Sequence, residues 1–190
     1  MLKLTFLLLL LPFLSDAQVD IAGNGFPFKD GKVVYEYTVD VPGIKKNDIY
    51  NVSKKWIADH FTAGETIVHT DDTYNASITG STVKLVSLDP GNGALQSDTF
   101  ELYFSINMLC KDGRYQIFFS DISTKSVALG SMTSDVKVPV EMLAHSMKNT
   151  KFKPQQMERN RNMKKAIDDQ FARLQDSLYH NITKSAGSLF

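Results

Sequence analysis

The chain of 190 residues balances 21 Lys and Arg against 21 Asp and Glu, is 43% hydrophobic and contains one cysteine. That length suits one domain with a real core and is short for two, and a single thiol excludes an internal disulfide framework, so the fold must rest on apolar burial. Charge is uneven along the chain: residues 18–110 carry seven Lys/Arg against twelve Asp/Glu, and residues 111–190 carry thirteen against eight, a pattern that suits solvated surfaces of one domain.

Lys3, an apolar run from Leu4 to Leu14, and then Ser15-Asp16-Ala17 have the layout of a secretory signal peptide cleaved after Ala17. At about 1.5 Å per residue the apolar run reaches only half of a roughly 30 Å hydrocarbon core, so it suits a leader better than an anchor. The expected product starts at Gln18, is exported to the periplasm or beyond, and has no stable membrane insertion. Residues 18–30, with Gly23, Gly25 and Pro27, read as a flexible lead-in to one α+β domain over residues 31–183.

From Val33 to Val41 apolar and polar residues alternate, the period of a half-buried strand, and Pro42-Gly43 ends it. From about Lys46 the period lengthens: Ile49, Val52, Trp56, Ile57, His60 and Phe61 form one stripe of an amphipathic helix, with Gly64 as its C-terminal cap. Trp56, the sole tryptophan, is the expected core anchor of that helix. Strand-like runs follow at Thr66–His69, at Tyr74–Val86 with a bulge expected near Gly80, and at Thr99–Cys110. Lys111-Asp112-Gly113 then turns into a further strand, Arg114–Ile122, as an Asp-Gly hairpin.

Residues 88–97 and the Ser/Thr-rich stretch 123–137 read as loops, and Pro139–Met147 as a short helix. Pro154 opens a long helix, to about residue 182, on which Met163, Ile167, Phe171, Leu174, Leu178 and Ile182 recur at steps of three and four. Residues 184–190 are left as a disordered tail. The expected fold is α+β: a five-stranded, mostly antiparallel sheet in the order β-α-β-β-β-β-α, with its helices packed on one face and the other face partly open.

The run from Val33 to Phe61, through Val41-Pro42-Gly43, Ile49-Tyr50 and Trp56, together with the hairpin at 111–122 ending in Asp121-Ile122, carries a resemblance. It resembles a family of exported bacterial domains of unknown function with a TATA-box-binding-protein-like (TBP-like) fold. The resemblance implies a fold and brings no catalytic residue with it. Nucleic-acid binding is not expected despite the fold's name, because Glu36, Asp40 and Glu101 stand at polar strand positions with few basic partners.

Chemistry-bearing clusters are sparse. His60, His69, His145 and His180 are not at helical metal-ligand spacing, His69 with Asp71 and Asp72 reads as a solvated turn, and Cys110 falls among apolar strand residues as an inert thiol. No glycine-rich phosphate loop or nucleophile elbow appears, so no enzyme, cofactor or metal is expected. The expected function is a non-enzymatic binding domain of the bacterial envelope. Its interaction face is the polar side of the sheet around Glu101, Tyr103, Ser105 and Asn107, recognising a protein or a glycan. The alternative is a carrier of a small apolar ligand held between the sheet and the C-terminal helix, near Phe100, Phe104, Ile106 and Phe119.

Overall fold

A computed structural model describes residues 20–22, 25–61, 67–88, 99–127, 136–148 and 153–187. The leader through Ala17, the Gly64 cap and most of the 88–97 loop lie outside the described residues.

The chain enters through three short strands, β1 (Asp20–Ala22), β2 (Phe26–Lys29) and β3 (Lys32–Val33), which form an antiparallel sheet in sequence order. Among its described residues, 20–22 and 25–30, the lead-in is therefore strand and turn rather than the expected flexible segment. Asp30 and Gly31 take φ of 52° and 77° between β2 and β3, the left-handed pair that a tight hairpin needs, and Phe26 is 0% exposed. This small sheet sits beside β4 (Tyr35–Asp40), to which the Lys29–Glu36 ion pair ties it.

The main sheet places β4, β8 (Arg114–Val127), β7 (Thr99–Lys111), β6 (Ser77–Ser87) and β5 (Ile67–Asp72) side by side, every described pairing antiparallel. A two-residue strand β9 (Val138–Pro139) pairs with β8 beyond the end of β4, so this sheet has six strands among the described residues instead of five. The stretch after Ile122 is a second correction: β8 continues to Val127. It does so across a β-bulge, where Tyr103 pairs with Ser123 but Ser105 pairs with Ser120, and Asp121 has a φ of 49°. Before the bulge odd-numbered residues of β8 point to the core, and after it Ile122 and Thr124 do. That change of parity hid the strand from a strict period of two. The irregularity expected at Gly80 falls on its partner strand, between Val68 and Thr70.

Helices α1 (Lys46–His60) and α3 (Pro154–Gly187) lie together on the core face, with α2 (Val140–Lys148) beside α3. The inner face of α1 is Ile49, Tyr50, Ser53, Trp56 and Ile57, shifted slightly from the expected stripe, because Val52 and His60 lie at its margin. Lys45 has no side-chain cap to offer α1, and the first free N–H, on Lys46, instead donates to Asp112 of the β7–β8 turn at 2.7 Å. Gly113 of the same turn donates to the Ile44 carbonyl at 2.8 Å and accepts from Val41 N–H at 2.8 Å.

The stripe of α3 is buried throughout its six positions, and the helix runs on past residue 184 into what was expected to be tail. At its middle Phe171 stacks on Phe119 at 4.7 Å, meets Phe104 edge-on at 5.2 Å and touches Tyr35 at 4.6 Å. Those rings occupy the interval between sheet and helix that a carried ligand would need. Trp56, 2% exposed, extends the aromatic chain through Phe61 to Phe104. Tyr35 also donates its hydroxyl to Asp168 of α3, which Lys164 holds from the other side.

Phe171→Ala should destabilise the domain by about 3–5 kcal/mol, the usual loss for an aromatic removed from a packed core. Urea unfolding followed by tryptophan fluorescence measures it, and a loss below about 1 kcal/mol would mean that α3 is not held by this cluster.

Candidate functional site

On β7 the buried residues Leu102, Phe104, Ile106 and Met108 alternate with Glu101, Tyr103, Ser105 and Asn107, so the four expected site residues share the face turned away from the helices. The structure brings them together as one row. Register extends the row sideways: Thr79 pairs with Asn107 and Ser81 with Ser105 on β6, while Ser120 and Ser123 face Ser105 and Tyr103 from β8. Thr38 and Gln116 continue it toward β4, joined by a 3.1 Å hydrogen bond. The result is a sheet surface dense in hydroxyls and amides.

Tyr103 is the most constrained member. Its hydroxyl donates to Glu101 Oε2 at 2.6 Å, and Lys125 lies across from Glu101 at 4.0 Å. Lys137, just before β9, holds its Nζ 3.6 Å from the centre of the Tyr103 ring, a close cation–π contact. Lys125 and Lys137 were missed from sequence because both follow the bulge, in the stretch read as a loop. The signal available was the resumption of alternation after Asp121, one residue out of step.

The acidic residues of this face are each matched by a cation: Glu36 by Lys29, Asp40 by Arg114 at 2.6 Å, and Glu101 by Lys125. The His69-Asp71-Asp72 cluster is dispersed among separate partners. His69 Nε2 meets Ser81 Oγ at 2.9 Å, Asp72 accepts from Asn75 backbone and side chain, and Asp71 accepts from Lys54 and Tyr50. Those hydrogen bonds favour the ionised forms and hold both carboxyls below their ordinary range, that of Asp71 chiefly through Lys54. Cys110 faces inward beside Ser53, and burial pushes its thiol up to about 12.

Sheet, helices and outer face together define an α+β domain of TBP-like fold. Residues 35–125 match the family model described as a domain of unknown function (DUF4468) with TBP-like fold. Two solved structures are similar in fold. One, a DUF4468 family protein from Bacteroides ovatus, is 20% identical with a TM-score of 0.61, over 83% of this chain and 91% of that one. The other, a TBP-like protein from Parabacteroides distasonis, is 19% identical with a TM-score of 0.58, over 80% of this chain and 96% of that one. No curated protein matches the chain.

Two outcomes follow from these placements. Tyr103→Phe removes a half-exposed hydrogen bond and should change stability by no more than about 0.5 kcal/mol in urea unfolding, because outer-face polar contacts compete with water. A larger loss would make Tyr103 a structural residue. Cys110 in the folded chain at pH 8 should carry about 10³-fold less thiolate than a free cysteine and react with a thiol reagent only on unfolding, whereas rapid labelling without denaturant would show the strand opening.

Proposed function

We propose that the chain is an exported, non-enzymatic binding domain of the bacterial envelope, and that it presents the outer face of its sheet to a protein or glycan surface. The observation that carries this reading is the row Glu101, Tyr103, Ser105 and Asn107, with an aromatic ring pinned between Lys137 and Glu101 amid hydroxyl and amide groups. A tyrosine held in one orientation loses little conformational freedom on binding, and flanking hydroxyls supply adaptable hydrogen bonds. The leader supports export, and the similar solved structures come from bacteria.

Nucleic acid is not part of the reading, since Lys29, Arg114 and Lys125 of this face already meet Glu36, Asp40 and Glu101. Membrane insertion is not part of it either: among the described residues no helix is long and apolar enough to cross a bilayer. The carrier alternative finds no support in the interval beneath α3, which Phe104, Phe119 and Phe171 fill.

The test is retention of the purified mature chain on isolated peptidoglycan and on solubilised envelope proteins, compared with Tyr103→Ala. The variant should lose about tenfold or more of its affinity with an unchanged melting temperature, as central aromatic anchors do. Retention that survives both Tyr103→Ala and Asn107→Lys would remove the outer face as the binding surface.

A further inference from the structure

Where α1, α3 and β6 meet, away from the Tyr103 row, the structure holds a cleft of about 430 Å³ whose polar lining is His60, Lys84, Ser87, Gln170, Arg173 and Ser177. Its floor is a fixed hydrogen-bond chain. Trp56 Nε1 donates to Ser177 Oγ at 3.1 Å, Ser177 Oγ lies 2.9 Å from His60 Nε2, and His60 Nδ1 lies 3.1 Å from the Trp56 carbonyl. An indole N–H only donates and a carbonyl only accepts, so neutral His60 carries its proton on Nδ1 and accepts the Ser177 hydroxyl proton at Nε2. Both ends of the chain close on Trp56, which is buried in the core.

Above this floor stand two cations, Lys84 from β6 and Arg173 from α3. Lys29, Lys54, Lys55, Arg114, Lys164 and Lys165 each meet a carboxylate. Lys84 and Arg173 form no ion pair among the described residues: Lys84 Nζ lies 5.8 Å from the Phe61 ring centre, and Arg173 Nε donates to the Asp169 backbone carbonyl at 3.1 Å, while the Asp169 carboxylate pairs with Lys165 and feels the Arg173 charge from further off. No acidic side chain lines the cleft. Two cations in a concavity whose lining holds no carboxylate focus a positive potential there, and an anion relieves their repulsion. The remaining guanidinium N–H groups, the Lys84 ammonium, the Gln170 amide and the Ser87 hydroxyl are all donors.

We propose that this cleft is a binding site for a small phosphorylated molecule, its phosphate seated between Lys84 and Arg173. A doubly charged tetrahedral group matches an arginine fork plus a lysine point charge better than a single carboxylate does. The free volume exceeds what a bare phosphate fills, and the apolar side chains of Val86 and Leu174 line the remainder. The site shares no residue with the outer-face row and stands or falls independently of it.

The experiment is an amide-shift titration of the mature chain with glucose 6-phosphate, inorganic phosphate and glucose, at constant ionic strength set with sodium chloride. Glucose 6-phosphate should shift Ser87, Gln170, Arg173 and Ser177 saturably and bind more tightly than inorganic phosphate, with glucose alone silent. Lys84→Gln and Arg173→Gln should each weaken binding about tenfold or more while leaving the melting temperature unchanged, since both side chains are solvated at the cleft mouth. Absence of saturable shifts at about 20 mM sugar phosphate, where charge-assisted sites of this kind are occupied, would overturn the site. So would saturable binding that neither substitution weakens. Inorganic phosphate binding as tightly as the sugar phosphate would overturn the organic part and leave free phosphate as the ligand.

Discussion

The ring of Phe171 is the contact on which the rest of this fold depends. It is 0% exposed and lies within 5.2 Å, centre to centre, of Tyr35 on β4, Phe104 on β7 and Phe119 on β8. One side chain thus joins β4 and the distant β7–β8 hairpin to the helix that comes last. With no disulfide to restrict the unfolded chain, burial of this kind must offset the loss of backbone freedom. The Tyr35–Asp168 and Trp56–Ser177 hydrogen bonds add direction to that burial, because each fixes where along α3 the underlying element meets it.

Packing of the inner face also determines what the outer face can be. Once Phe104 and Ile106 point into the core, Tyr103, Ser105 and Asn107 have no choice but to point away, and the pairing register lines them up with Thr79, Ser81 and Ser123. The bulge at Asp121 adds a local turn of the sheet and brings Lys125 beside Glu101, with β9 and Lys137 following on the same edge. The candidate surface and the core are two sides of the same strands.

The strands and helices with a steady period were legible in the sequence, among them β7, the α3 stripe from Met163 to Ile182 and the Asp112-Gly113 turn. Illegible features were those where period or partner changed. The parity shift at Asp121 ended the apparent alternation and removed Lys125 and Lys137 from view. The glycines of the lead-in point to flexibility, yet Asp30-Gly31 is the same dipeptide as Asp112-Gly113 and turns a hairpin of its own. Ser177 and His60 stand 117 positions apart, and no local pattern announces such a pair. Family resemblance reached the fold through core and turn residues, which say little about a surface.

The Asp112 carboxylate that receives the first free N–H of α1 belongs to a turn 66 residues further along the chain. A newly made polypeptide therefore completes the sequence of α1 well before the group that finishes its first turn exists. Until β7 and β8 close on each other, the start of that helix has only water for its donors, and a short isolated helix is marginal in water. On this geometry the two-residue turn is expected to form early, since its ends are adjacent, and α1 to settle when the turn arrives. In this domain α1, the fifth element along the chain, has its first turn completed by a turn that comes much later.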